Sequence, residues 1–380
     1  MAKDNYQLWL ESQERIYGPI RNRDEIAEGM KDLVTEEQLG LWFVFPLHTT
    51  SHIPRSEAMR RAGELGMGGE RFRELLSGLL ENFWVITSTG DSGETLYARS
   101  YLFMLMMTYA DVLPDHPFTM ASRRWFNYLT EGDILNMPES HPHARFIPQE
   151  EFLPEGSRIK VGKASAPVSV MTIDMEEEIP EQREVVPYDY ATEILRNAKL
   201  IAVVPCMCRQ NKEALKIREC DYPIDTCLEL DEMAEQSASY GGKVLTLDEA
   251  LALTKRNREL GLVHMTSNAR HPCILCSCCP CCCLALSSLR HGFASSAKPS
   301  RFRPQMKKNG RCIGCGACVR SCPMGALTMG VNGTLVLNMR KCIGCGLCLR
   351  KCPTKCKELV LRTDSDNLLP DYEVTEYLLL

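Results

Sequence analysis

Apolar positions recur at helical spacing through the first hundred residues. "TEEQLGLWFVF" and "SEAMRRAGEL" predict two helices, "GMGG" breaks the pattern, and "ERFRELLSGLLENF" predicts a third, amphipathic one. The period then shortens: "WVITST" and "ETLYARS", joined by "GDSG", predict a β-hairpin. Further on, "KLIAVVP" reads as a buried strand. "TLDEALALTKRNREL" reads as a helix with Ala250, Leu251, Leu253 and Leu260 apolar. Near the carboxy end, "ALTMGVNGTLVLNM" reads as two strands joined by a turn at Asn332-Gly333. Residues 114–190 carry prolines from Pro114 to Pro187 at a density that predicts an extended connector, with short helices such as one around "SRRWFNYLTEG". The most apolar run, "YLFMLMMTYADVL", is too short and too interrupted to span a bilayer.

Composition adds boundaries to this pattern. The 380 residues suffice for two or three domains, and 44% hydrophobic with 24% charged residues fits a globular chain. No export signal is visible at the start, so the expected compartment is cytoplasmic. Charge is segregated: residues 297–362 hold fourteen Lys or Arg against one acid, Glu358, while the body before them is acidic. A basic module on an acidic body predicts internal docking or an acidic partner. The expected fold class is α+β multidomain. Its parts are a helix-rich α+β domain over 1–113, the Pro-rich connector over 114–190, and an α/β cysteine-rich domain over 191–296. A basic cysteine module over 297–362 and an acidic tail over 363–380 complete it.

Cysteine carries the chemistry. There are twenty, and the first is Cys206. In a reducing compartment, C-x-x-C spacings favour metal or redox chemistry over disulfides. Cys312, Cys315 and Cys318 follow C-x2-C-x2-C, and Cys322-Pro323 completes C-x3-C-P. Cys342, Cys345, Cys348 and Cys352-Pro353 repeat the pattern. Three thiolates from one turn reach three irons of a cubane, and the fourth, distant cysteine ligates the other cluster. One cluster would therefore take Cys312, Cys315, Cys318 and Cys352, the other Cys342, Cys345, Cys348 and Cys322. Gly314, Gly316, Gly344 and Gly346 supply positive-φ turns that aim backbone N–H groups at cluster sulfur. Ile313 and Ile343 are placed to shield the cubanes. Cys356 is left over and reads as a solvent-accessible spare thiol. Paired structural zinc is the alternative for the whole module.

A second set of eleven thiols lies upstream: Cys206, Cys208, Cys220, Cys227, Cys273, Cys276, Cys278, Cys279, Cys281, Cys282 and Cys283. Neighbouring thiols such as Cys281, Cys282 and Cys283 cannot all face one small site, so some must serve different metals or none. At least one further iron–sulfur cluster is expected, with Cys206, Cys208, Cys220 and Cys227 contributing, and zinc as the alternative. His264 and His271 flank the region as packed or surface residues, with a ligand role the lesser alternative. The His141 and His143 pair reads as loop histidines. Arg209 reads either as a partner for cluster sulfur or an anion, or as a surface cation.

The paired C-x2-C-x2-C-x3-C-P runs resemble bacterial-type two-cluster ferredoxins, with every ligand position filled. The helix, helix, turn, helix, two-stranded-wing order of the first domain resembles the winged helix. Its third helix carries Glu70, Glu74 and Glu81 against Arg71 and Arg73, so protein interaction or dimerisation into a homo-oligomer is preferred to nucleic acid. With "VVPYDYATEIL", "VVPCMCR", "GLVHMTSN" and "CILCSCCPCCC" added, most of the chain resembles a family of multi-cluster 4Fe–4S proteins from anaerobes, closely from Val186 to Pro353. That resemblance implies redox partners. No nucleotide fingerprint is present, neither GxGxxG at a strand–helix junction nor GxxxxGK[ST]. The leading expectation is an electron-transfer subunit passing single electrons to or from a redox enzyme partner or catalytic subunit. The alternatives are an oxidoreductase acting on a substrate at the upstream cysteines, and a redox-responsive winged-helix regulator.

Overall fold

The computed structural model describes residues 4–47, 52–90, 92–133, 144–154, 190–239, 242–269, 271–292, 297–331 and 333–362. The amino-terminal part runs α1 (Asn5–Tyr17), α2 (Arg23–Met30), α3 (Glu36–Trp42), β1 (Ile53–Pro54), α4 (Arg55–Glu64) and α5 (Gly69–Glu81). It continues with β2 (Val85–Thr89), β3 (Thr95–Arg99), α6 (Leu102–Val112) and α7 (Pro117–Glu131). Local chemistry sets the helix starts. The Asp4 side chain accepts a hydrogen bond from the Gln7 N–H, and Thr35 and Gln38 close a reciprocal capping box on α3. On α5, Phe72, Leu75, Leu76 and Leu79 are buried, as the apolar spacing predicts. The three short strands form a sheet in the order β1-β3-β2, all antiparallel.

Three fully buried tryptophans organise this core. Trp9 meets Trp84 at 5.5 Å and Trp42 at 6.4 Å between ring centroids, both edge to face. Helix α7 lies in the same core through Phe118, Ala121, Trp125, Phe126 and Leu129. The span 114–190 thus supplies packed structure among its described residues: α7 here, and a strand of the central sheet described next. Proline costs α7 nothing, because Pro117 stands in the first turn, where no N–H partner is lost.

The central part contains β4 (Ala144–Ile147), α8 (Ala191–Asn197), β5 (Ile201–Pro205), α9 (Met207–Ala214), β6 (Asp225–Leu230), α10 (Glu232–Ser239) and β7 (Lys243–Val244). It is completed by α11 (Leu247–Leu260), β8 (Val263–Ser267), β9 (Ile274–Cys278), α12 (Leu284–His291) and β10 (Ala297–Lys298). Its strands make one seven-stranded sheet in the order β10-β4-β8-β9-β6-β5-β7. All neighbours are antiparallel except β10 with β4. Leu275 joins an apolar cluster with α8 and α11, whereas its neighbours Cys276 and Cys278 join a different one, as strand alternation requires.

The carboxy-terminal part has β11 (Phe302–Met306), α13 (Ala317–Arg320), β12 (Leu327–Met329), β13 (Leu335–Leu337), α14 (Leu347–Arg350) and β14 (Lys357–Leu361). β12 pairs with β13 and β11 with β14, both antiparallel. The expected strands either side of Gly333 are present; Asn332, like His141 and His143, lies outside the described residues.

This basic module is docked onto the sheet. Gln149 N–H donates to the Cys345 carbonyl at 3.1 Å and Ser300 N–H to the Ile343 carbonyl at 2.9 Å. Arg350 pairs with Glu151 and donates from Nε to the Gln149 side-chain oxygen at 2.5 Å. Among the described residues no helix is long and apolar enough to cross a membrane.

The closest backbone approach in the amino-terminal part is between α2 and α7. A Cβ on Gly29 would stand 2.5 Å from the Phe118 nitrogen. Gly29→Ala should therefore force the helices apart and cost about 1–3 kcal/mol, read as a lower denaturant midpoint with unchanged native helicity.

Candidate metal and electron-transfer centres

The turns of the carboxy-terminal module have the backbone that the paired glycines predict. Gly314, Gly316, Gly344 and Gly346 all take positive φ, between 66° and 83°. At Gly344 there is also no room for a side chain, since a Cβ would overlap the Phe302 carbonyl. Cys322, from the first motif, lines one small cavity of about 20 Å³ together with Cys342, Cys345 and Cys348 from the second. Met324, Leu327, Leu337 and Ile343 complete its apolar wall. Burial pushes the Cys342, Cys345 and Cys348 thiols up, Cys345 to about 12. Such thiols stay protonated in an empty site and give up their protons to a cation-rich one. Four sulfur donors around one apolar hollow fit the ligand set of an iron–sulfur cubane.

The set from the first motif is built differently. Cys312 and Cys315 lie on an exposed loop, while Cys318 and Cys352 are buried. Both buried thiols stand in the field of the Lys357 ammonium. Ile343 is 4% exposed, but Ile313, its counterpart in the repeat, is 61% exposed and shields nothing. Cys356 is a correction to the sequence reading. It is 2% exposed rather than solvent-accessible, with its sulfur 3.5 Å from that of Cys352. The β14 pairing that begins one residue later turns it inward.

Upstream, ten of the eleven thiols gather in two groups. Cys220, Cys279, Cys281 and Cys282 form a tetrad in which every sulfur lies within 4.8 Å of every other. The other six close a ring when followed from partner to partner: Cys206, Cys208, Cys283, Cys278, Cys276, Cys227. Groups drawn below and groups pushed above the ordinary thiol range alternate around it. Hydrogen bonds from Cys208 and Cys227 draw Cys206 down to about 3, and those from Cys227 and Cys278 draw Cys276 to about 6. Cys208 and Cys278 likewise hold Cys283 well below the ordinary thiol range. The donors Cys208, Cys227 and Cys278 are pushed up by the thiolates they serve.

Local structure explains the sorting. Cys276 and Cys278 are two apart on β9 and so share a face. Cys206 and Cys283 occupy the N-cap positions of α9 and α12, and Cys227 lies on β6. The chain turns between the two groups at each end of this stretch, so Cys278 and Cys283 face the ring while Cys279, Cys281 and Cys282 face the tetrad. Cys220 is thereby separated from Cys206, Cys208 and Cys227, with which the spacing had grouped it. Cys273 stands apart, its sulfur 3.7 Å from the Ser267 hydroxyl.

Arg209 is not a surface cation. It is fully buried, donating to the Pro223 carbonyl at 3.0 Å, the Thr226 hydroxyl at 2.6 Å and the Ser277 carbonyl at 2.6 Å. It reaches Cys279 of the tetrad and lies in the field of Cys206 and Cys227 of the ring. Its Nε has no protein partner. A buried cation among thiols fits anionic metal–thiolate centres on either side. His264 is buried with Nδ1 3.4 Å from both the Cys276 carbonyl and the Ser277 hydroxyl, and burial lowers its pKa to about 4. That is a packing role; His271 is exposed.

A cleft of about 610 Å³ separates the tetrad loop from the carboxy-terminal module. Tyr222 and Pro280 line one side, Ser321, Cys322 and Leu347 the other. Arg290, Arg320 and Lys351 also line it, and none is ion-paired among the described residues.

Comparison with known proteins agrees with this geometry at the carboxy end. Residues 311–356 match the 4Fe–4S dicluster domain family, so this module is an iron–sulfur domain and the chain a metal-binding protein. No curated protein and no solved structure matches the chain.

Replacing Arg209 by Met should leave two carbonyls and the Thr226 hydroxyl unpaired beside uncompensated thiolates. The expected cost is about 3–5 kcal/mol, checked by anaerobic denaturant unfolding, whereas Arg290→Met, at the open cleft, should change the midpoint little.

Proposed function

We propose that the protein is a multi-centre electron-transfer subunit serving a redox enzyme partner. The observation that carries this is one continuous apolar cluster. It contains Cys276, Cys278 and Cys283 of the upstream ring together with Cys322, Cys342 and Cys345 of the dicluster module. Thiols of two centres share a single dry core, which is the arrangement a short electron path needs. In this reading the cluster of Cys342, Cys345, Cys348 and Cys322 is the inner one and faces the ring. The cluster of Cys312, Cys315, Cys318 and Cys352 is the outer one, reached through the exposed loop. The upstream ring holds a further iron–sulfur centre.

The exposed loop is flanked by Arg311 and Lys355, both exposed. Such a face attracts an acidic one-electron donor or acceptor. The amino-terminal part serves as the partner or self-association platform. Its order α3, β1, α4, α5, β2, β3, with the sheet order β1-β3-β2, supports the winged-helix reading. A DNA-reading role is not supported, because the Arg71 guanidinium on α5 is held by Glu37 and Glu74.

The cleft favours a second reading, an oxidoreductase. Three unpaired cations beside the Cys322 loop would hold a small anionic substrate next to the inner cluster. A reduced sample whose paramagnetic spectrum changes with a dicarboxylate, and no longer does so in Arg290→Gln, would favour it. A spectrum indifferent to small anions leaves electron relay alone.

Two measurements test the relay. Cys322→Ser should abolish the inner cluster's paramagnetic signal, keep the outer one's, and slow reduction of the upstream centre at least tenfold. An unchanged upstream rate removes the proposed path. The Arg311→Glu, Lys355→Glu pair should lower the rate of reduction by an acidic flavoprotein at least tenfold at low salt, with the difference vanishing at high salt.

A further inference from the structure

We infer that Cys220, Cys279, Cys281 and Cys282 form a closed single-ion site, taking one tetrahedral divalent cation of the zinc type, rather than a fourth cluster. Three sulfur separations within the tetrad are 3.9 Å (Cys220 to Cys279), 3.7 Å (Cys220 to Cys282) and 3.7 Å (Cys281 to Cys282). Metal–sulfur bonds of about 2.3 Å in a tetrahedron put the sulfurs about 3.8 Å apart. A cubane bears its thiolates outside the corners of a four-iron core, which spreads them to about 6 Å. The tetrad matches the first figure.

The molecule supplies its own comparison. Among the described residues the tetrad is the group of thiols gathered within 4.8 Å of one another. The dicluster thiols, which belong to an iron–sulfur domain, are not gathered that tightly, and neither is the six-thiol ring. The two upstream groups therefore differ in the size of what they enclose.

Charge and packing agree. Four thiolates on a divalent ion carry a net charge of about −2, and two guanidiniums stand against the tetrad. Arg209 reaches Cys279 and Arg218 reaches Cys220. Leu262, fully buried, and Tyr222 cover the sulfurs. A four-sulfur site with two thiols buried, two partly covered and no open position is structural rather than catalytic.

Its purpose follows from the neighbours. The ion would tie the chain before β6 to the turn after β9, across 59 residues between Cys220 and Cys279. That turn carries Cys278 and Cys283, the two ring thiols that flank it, and Pro280, which lines the cleft. The staple fixes ligands of the ring without itself exchanging electrons.

This inference does not rest on the electron-transfer reading, because zinc is redox-silent. The test is metal and acid-labile sulfide analysis of the anaerobically purified full chain, with Cys220→Ser and Cys282→Ser beside it. One zinc per wild-type chain is expected, falling at least tenfold in both variants while iron and sulfide stay. Cobalt substituted into the wild-type protein should show the visible bands of a tetrahedral tetrathiolate ion, a readout that needs no variant to fold. Iron falling by one with sulfide unchanged would support the single-ion site with iron as its metal. Wild-type protein without zinc, losing iron and sulfide together four at a time in both variants, would overturn it. A colourless protein holding one zinc would end the relay proposal and leave this one standing.

Discussion

A short run of chain cannot present all of its side chains to one small object, and the chemistry of this chain is arranged around that restriction. Of the five cysteines in positions 278–283, the outer two, Cys278 and Cys283, turn to the ring, and the three between them, Cys279, Cys281 and Cys282, turn to the tetrad. Cysteine-dense sequence is thereby converted into two separate thiol sets within one short loop. In the carboxy-terminal module the same restriction works in reverse. One turn of chain supplies three sulfurs to a site and cannot reach round to supply the fourth, so a residue from the other half of the repeat fills the gap in the cavity.

The restriction has a cost in charge, which the rest of the fold offsets. Thiolates buried in apolar surroundings need cations, and the molecule places them sparingly. Arg209 lies between the tetrad and the ring, and Lys357 lies beside Cys318 and Cys352. Both are buried, so each acts at short range with little screening. Most of the remaining basic residues of the carboxy-terminal module stay at its surface, while Arg350 holds the module against the sheet and Arg362 ties the end of β14 to the Cys342 turn. The wall it docks against includes Cys276, Cys278 and Cys283, and the helical part reaches the same place through α7, against α9 and α12. The ring therefore sits where all three parts of the chain meet.

Much of this was legible from periodicity. α3, α4, α5, the β2–β3 hairpin, β5, α11 and the β12–β13 pair fall where apolar spacing puts them, because each buries one face in an ordinary core. What escaped was structure built from ligands. β9 and α9 carry cysteines where apolar spacing would place valine or leucine, and the N-cap positions of α9 and α12 are occupied by sulfur rather than by serine or aspartate. The division of the upstream thiols was equally hidden, since Cys220 and Cys227 are near in sequence and opposite in destination. β4 escaped because it is a short strand whose four buried residues, Ala144 to Ile147, lie within a proline-rich span. Cys356 was misjudged as a loose end because a motif-based count had no position for it, whereas the strand that follows turns it inward.

The unequal exposure of Ile313 and Ile343 has a consequence for the lifetime of the molecule in air. Dioxygen diffusing from solvent meets the outer centre long before the inner one, so oxidative loss begins at Cys312 and Cys315. In the proposed relay, a chain damaged there would keep its deeper centres but be cut off from its donor. On that proposal, exposure at the loop would make the first centre a fuse, whose failure strands the rest in a quiet, oxidised state instead of letting them leak electrons to oxygen.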